Sequence, residues 1–213
     1  RNIGSLVKPA VYLSALQLPH YNLATLLDDS PVQVTNEEGK VWQPENFDHQ
    51  YRGAVPLYKA FSHSINIPAV NLGLDVGVDK VANTLRGLGA KGHINEYPSL
   101  LLGAIEMSSF EVAQLYTTIA ADGEYRELTS ISALTDSVGK VLYKHKVSNE
   151  QRFDKDAMYM TKYAMKRVTK DGTAKRLNLH FPSIQLAGKT GTSNELRDSW
   201  FAGFDQNTVT VAW

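Results

Sequence analysis

Ile184-Gln-Leu-Ala-Gly-Lys-Thr-Gly-Thr192 is the stretch from which the fold is read. Its opening, Ile184–Ala187, is strand-like, and two further strand-like runs follow, Ser199–Phe204 and Thr208–Trp213, joined by short turns. Upstream the periodicity is helical. Ser5–Leu18 carries apolar residues at Leu6, Val7, Val11, Leu13 and Leu16 and stops before Pro19. Residues 30–56 are loop-rich, broken by Pro31, Gly39, Pro44, Gly53 and Pro56. Helical patterns return at Leu57–Ser64, Ile67–Leu74 and Val78–Leu88. Ser108-Ser-Phe-Glu111 reads as a capping box whose helix Gly123 closes. Leu128–Leu134 and Lys140–His145 read as a hairpin around Asp136-Ser-Val-Gly139, and Asp154–Lys170 as a helix. Helices first and an antiparallel sheet last predict a mixed α/β fold with segregated layers.

The 213 residues suit one domain, or one domain with a small subdomain. Lys plus Arg balances Asp plus Glu at 22 each, so no global field favours nucleic acid or an anionic membrane, and recognition falls to a local site. The absence of cysteine excludes disulfides, thiolate metal sites and a Cys nucleophile. No long apolar run and no signal-peptide pattern occurs. Both ends look cut. Arg1 stands just ahead of the most chemically loaded motif, and Trp213 ends the alternating run from Asn207, so anchors and further domains are expected outside residues 1–213.

Three constellations carry chemistry: Ser5-Leu-Val-Lys8, Ser64-Ile-Asn66 and Lys189-Thr-Gly-Thr192. Together they match the motif trio of serine acyl-transferring enzymes without a His base. Singly they are weak. About one S-x-x-K arises by chance in such a chain, and Ser137-Val-Gly-Lys140 is a second copy, placed on a turn where the two side chains share no face. In the first copy a helix puts i and i+3 on one face, so Lys8 Nζ can reach Ser5 Oγ. Pro9 is tolerated if that helix begins near Ser5, whose position at the N-terminus favours developing negative charge. The Lys-Thr-Gly triplet is the most specific of the three, with roughly 0.06 expected from composition. Gly191 lets a substrate peptide lie against the strand edge, and the Thr192 N–H can point at a scissile carbonyl. On an extended tripeptide ahead of Pro68, Ser64 and Asn66 both face a cleft.

The chemistry this composes is acyl transfer by an activated serine. For Lys8 to act as base near neutrality its pKa must fall by about three units, worth about 4 kcal/mol, and burial beside a second cation, Lys189, pushes that way. Ser64 is suited to relay a proton to the leaving amine. The N–H groups of Ser5 and Thr192 form an oxyanion hole. The six His residues (20, 49, 63, 93, 145 and 180) show no metal-ligand spacing, and no G-x-S-x-G elbow, P-loop or dinucleotide fingerprint is present. No metal or cofactor is therefore expected.

In this order the three motifs resemble the penicillin-binding protein transpeptidase family. More particular stretches are similar to its class A bifunctional members: Ile3-Gly-Ser-Leu-Val-Lys-Pro9, Trp42-Gln-Pro-Glu-Asn46, Ser64-Ile-Asn-Ile-Pro68, Leu101-Leu-Gly-Ala-Ile-Glu106, Glu111-Val-Ala-Gln114 and Asp198-Ser-Trp-Phe-Ala-Gly203. The resemblance implies the serine β-lactamase and penicillin-binding-protein fold, a five-stranded antiparallel sheet between helical layers, here incomplete at both ends. It implies D-Ala-D-Ala transpeptidation through an acyl-Ser5 intermediate, with Lys8 as base, Ser64 and Asn66 as relay and amide contact, and Lys189 as the third-motif cation. Thr190, Gly191 and Thr192 match the substrate-binding strand. Implied partners are donor and acceptor stem peptides of peptidoglycan and β-lactam antibiotics, at the periplasmic face of a bacterial inner membrane. A glycosyltransferase domain and a membrane anchor are implied outside this chain. A D,D-carboxypeptidase, a β-lactamase and a penicillin-sensing domain share the site. A β-lactamase also needs a carboxylate to activate water, and Glu106, Glu111 and Glu195 are not clearly placed for that.

Overall fold

In the computed structural model, which describes residues 1–35, 39, 41–192 and 198–213, the chain enters as a short segment strapped against residues 103–107. Ile3 N–H donates to Ile105 O (3.1 Å), Gly4 N–H to Gly103 O (3.3 Å) and Met107 N–H to Arg1 O (2.9 Å). The strap delivers Ser5 into a 3₁₀ turn, Gly4–Val7, that runs directly into helix α1, Lys8–Leu16. The sequence predicts one continuous helix from Ser5 to Leu18. Instead the first turn is tighter and the helix stops at Leu16, with Pro9 in its first turn, where it has no hydrogen bond to lose.

Every residue of α1 is buried, including Lys8 and Ser14, so this helix is the axis of the core. Ser14 satisfies its hydroxyl on Ala10 O and Thr84 Oγ1, both at 2.8 Å. Tyr12 packs edge-on against Phe61 with ring centroids 5.0 Å apart.

The chain continues through β1 (Leu26–Asp29), β2 (Val34–Thr35), β3 (Val41–Trp42), β4 (Gly53–Pro56), α2 (Leu57–Ser62), α3 (Asn66–Val76) and α4 (Val78–Leu88). After α4 come α5 (Ser109–Ala120), β5 (Glu124–Arg126), β6 (Ala133–Thr135), β7 (Val141–Lys144), β8 (Asn149–Gln151), α6 (Lys155–Lys170) and α7 (Lys175–His180). It closes with β9 (Ala187–Thr192), β10 (Ser199–Phe204) and β11 (Val209–Ala212). Helix α1 packs against α3, α4 and α6, and α6 also covers β9. Strands β9, β10 and β11 form an antiparallel sheet in the order β11-β10-β9, with Thr190 opposite Phe201 and Gly188 opposite Gly203. The fold is thus mixed α/β with its principal sheet assembled from the C-terminal strands.

Several boundaries differ from expectation. The Lys-Thr-Gly-Thr motif lies inside β9 instead of after it, because pairing with β10 continues through Thr192. Helix α2 ends at Ser62, and α3 starts at Asn66. Within the loop-rich stretch, β4 pairs with β1, Leu26 opposite Pro56. Helix α7 has no counterpart in the sequence reading. The capping box is present, Ser108 Oγ accepting from Glu111 N–H (3.2 Å) while Glu111 Oε2 accepts from Ser108 N–H (2.8 Å). So is the hairpin, β6 pairing with β7. Asp136 Oδ1 caps its turn by accepting from Val138 N–H (3.1 Å) and Lys140 N–H (2.8 Å), which leaves the second S-x-x-K copy on a solvent-facing loop. Among the described residues no helix is long and apolar enough to cross a membrane.

The strap rests on Gly103. Its φ is +81°, and a Cβ there would lie 2.0 Å from Gly4 O, a backbone atom that cannot swing aside. Gly139 has a similar φ, +84°, but open space around it. Gly103→Ala is therefore expected to destabilise the protein by more than ~2 kcal/mol and Gly139→Ala by about 1 kcal/mol, measured by urea denaturation. Equal losses would show that the strap is not sterically fixed.

Candidate active site

The three motifs, far apart in sequence, converge on one oxygen atom. Lys189 Nζ donates to Ser64 Oγ at 2.7 Å and Lys8 Nζ donates to the same oxygen at 3.3 Å. A serine hydroxyl has two acceptor lone pairs and one proton. With both lone pairs facing lysine donors, the Ser64 proton remains available to donate elsewhere. The backbone at Ser64 has φ +55°, a strained value for a non-glycine residue. The sequence expectation of an extended Ser64–Asn66 tripeptide is thus corrected. Only Ile65 is extended, and Asn66 already begins α3.

Lys8 is fully buried and hydrogen-bonds Ser64 O (2.8 Å), Ile65 O (3.2 Å) and Asn66 Oδ1 (2.8 Å) besides Ser64 Oγ. Among the described residues none of its hydrogen bonds goes to Ser5 Oγ, contrary to the expected pairing along the helix face. Lys189 is equally buried and also donates to Thr190 O at 3.0 Å. Burial holds the Lys8 ammonium well below its ordinary range, and the Lys189 charge adds to that. Burial alone pushes Lys189 down to about 7.

Asn66 is held from three sides. Its Nδ2 donates to Glu45 O (3.0 Å), and its N–H donates to Asn46 Oδ1 (3.1 Å), which also accepts from Ile67 N–H (3.0 Å). Asn46 in turn donates to Asp29 Oδ1 at 2.6 Å, deep in the core. Asn46 thereby holds the start of α3, a role that no motif in the sequence announces. Its signal, an amide just ahead of a loop, does not reveal that it caps a helix twenty residues downstream.

Strand β9 meets the Ser5 turn at Gly191. A Cβ there would come within 2.8 Å of both Ile3 O and Leu6 Cγ. From the sequence, Gly191 is expected to make room for a substrate peptide. The structure gives it another task as well, the close docking of β9 on the serine turn, reinforced by Trp200 Nε1 donating to Asn2 O at 3.1 Å. Thr192 ends β9 opposite Ser199, and the Ser5 N–H, in the first turn, has no backbone acceptor among the described residues. Thr190 Oγ1 lies 2.7 Å from Thr173 Oγ1, a residue no motif pointed to. Glu111 is consumed by the α5 cap, and Glu195 lies outside the described residues.

A buried amine next to a serine turn, a hydroxyl bridged by two buried amines of lowered pKa and a strand edge beside them can support acyl transfer to serine with proton relay. The linkage has a consequence for stability. Unfolded, Lys189 keeps its proton to about 10.5, and folded only to about 7. Between these values the unfolded chain binds more protons, so stability is expected to rise with pH from about 7 to 10. Lys189→Met, which replaces a buried cation by an apolar chain of similar length, is expected to flatten that rise and to be no less stable at neutral pH. Urea midpoints across this range check both, and an unchanged slope in the variant removes Lys189 as its source.

Comparison with known proteins extends the picture. Residues 2–212 match the family described as the penicillin binding protein transpeptidase domain. Penicillin-binding protein 1B of Vibrio cholerae is 47% identical over 100% of this chain, and that of Escherichia coli 41%. The chain spans 28% and 26% of these two relatives, a little over a quarter of their length. Among solved structures, penicillin-binding protein 1A from Haemophilus influenzae superposes with a TM-score of 0.87 at 25% identity, covering 98% of this chain and 37% of that one.

Proposed function

The chain belongs to the family of penicillin-binding protein transpeptidase domains, with a role in peptidoglycan transpeptidation, and from that premise we propose that it cross-links stem peptides through an acyl-Ser5 intermediate. The observation that carries the proposal is the shared Ser64 Oγ, at 2.7 Å from Lys189 Nζ and 3.3 Å from Lys8 Nζ.

In this reading neutral Lys8 takes the Ser5 proton as Ser5 Oγ attacks the carbonyl of the penultimate D-Ala. The two atoms draw together when substrate binds, since catalytic hydrogen bonds are often loose in free enzymes. The Ser5 and Thr192 N–H groups hold the oxyanion. Collapse breaks the peptide bond, and the leaving D-Ala amine receives its proton from Ser64, which is resupplied by Lys8. The amine of an acceptor stem peptide then attacks the ester, forms the cross-link and returns the proton to Ser5. Lys189 keeps Lys8 neutral and, with Thr190 and Thr192, binds the donor's terminal carboxylate. Asn66 holds the donor's amide. β-Lactams acylate Ser5 in the same way. We place a glycosyltransferase domain and a membrane anchor in the part of the protein beyond this chain, and the site at the periplasmic face of the bacterial inner membrane.

In the full-length protein a penicillin is expected to label Ser5 with one equivalent, and Lys189→Ala to slow labelling at least tenfold. The adduct is expected to persist for minutes to hours, since no carboxylate among the described residues is assigned to activate water. Intact-mass and peptide mapping check this. Label on Ser137, or no label, overturns the assignment, and rapid repeated turnover of nitrocefin indicates a β-lactamase instead.

A further inference from the structure

Thr173 lies where three parts of the site meet. It follows the end of α6, where Gly172 N–H donates to Arg167 O (2.9 Å) and Ala174 N–H to Val168 O (3.0 Å). Its own N–H donates to Ser62 O (3.1 Å), two residues before Ser64. Its hydroxyl faces Thr190 Oγ1 at 2.7 Å. The backbone of Thr173 is thus tied to α6 and to the last residue of α2, just ahead of the loop that bears Ser64, while its side chain reaches the strand that bears Lys189. Both threonine hydroxyls lie toward solvent, and Lys189 Nζ is close by, bonded to Thr190 O at 3.0 Å.

The proton count of this pair decides what it can do. Each hydroxyl has one proton. One of the two is used between the threonines, and one is left to donate outward. If Thr173 donates to Thr190 Oγ1, the Thr190 proton is free and aimed by a partner that is itself fixed at both flanks. A hydrogen bond accepted by Thr190 also polarises its O–H and makes it a stronger donor to an anion. Without that partner the Thr190 side chain, stiff at χ1 because it is β-branched, would still turn its hydroxyl proton about the C–O bond and spend it on water.

We propose that Thr173 is a positioning residue for carboxylate recognition: it holds the Thr190 hydroxyl in the rotamer that donates to the terminal carboxylate of the donor peptide or β-lactam. This rests on the transpeptidase reading above and adds to it a residue outside the three motifs. Thr173 also makes the geometry of the carboxylate site depend on the loop that bears Ser64, because Ser62 O anchors its backbone.

The test uses the full-length protein and two probes that differ only at the anion, benzylpenicillin and its methyl ester. Second-order acylation rates are measured for the unmodified protein, Thr173→Val and Thr173→Ser. Thr173→Val keeps the shape and removes the hydroxyl. It is expected to slow acylation by benzylpenicillin about tenfold and to leave the slower methyl-ester reaction within about twofold. Thr173→Ser retains the donor and is expected to stay within about threefold for both probes. Equal losses for the two probes in Thr173→Val would mean that Thr173 only supports the fold, and no loss for either would mean that Thr190 needs no partner. Both results overturn this inference alone. Absence of any label in the unmodified protein overturns the transpeptidase reading and this inference with it.

Discussion

Two lysine side chains, each taken entirely out of water, share the oxygen of Ser64. Burying one ammonium is costly, and burying two near each other is worse, since their mutual repulsion is poorly screened in a low-dielectric interior. The arrangement survives because each cation is wrapped in oxygen atoms: Ser64 O, Ile65 O and Asn66 Oδ1 around Lys8, and Thr190 O beside Lys189. The residual strain is relieved by proton loss, which is what a general base requires. In the proposed mechanism that imperfect stabilisation is itself functional.

Much of the surrounding architecture serves to keep those oxygens in place. Asp29 holds Asn46, Asn46 caps α3, and α3 opens with Asn66. The end of α6 holds Ser62, and Ser62 fixes the approach to Ser64. On the opposite wall the strap of residues 1–4 on residues 103–107 sets the serine turn against β9. These supports come from different regions of the chain and, Asn66 apart, lie outside the three motifs. A substitution at any of them would act on the chemistry through geometry of less than an ångström, which is why support residues in such sites tolerate little change.

The sequence was most legible where local rules suffice. The capping box at Ser108, the hairpin turn at Asp136, the span of α4 and the span of β10 follow from short-range hydrogen bonding and periodicity, and each is present. The three motifs were also legible, since their joint occurrence in order is improbable by composition. What could not be read was how the motifs address one another. Spacing on a helix suggested that Lys8 would face Ser5, whereas the dominant partners are the carbonyls of the Ser64 loop, set by tertiary packing of α1 against α3. The left-handed backbone at Ser64 had no glycine or asparagine to announce it. Helix α7 is short and mostly exposed, so it has no apolar stripe to read. The partnership of Thr173 with Thr190 depends on the meeting of a helix end and a strand edge, which no pattern along one element encodes.

The close docking at Gly191 bears on how this site can change over generations. Because no side chain fits between β9 and the backbone of Ile3, the width of the cleft at the serine is not adjustable by substitution at that position. In the proposed mechanism, variation that separates a β-lactam from a stem peptide falls instead to solvent-facing residues farther from β9, where a side chain can grow or shrink without moving Ser5. The glycine acts as a fixed gauge: it holds the reactive centre to one dimension while the periphery remains free to drift.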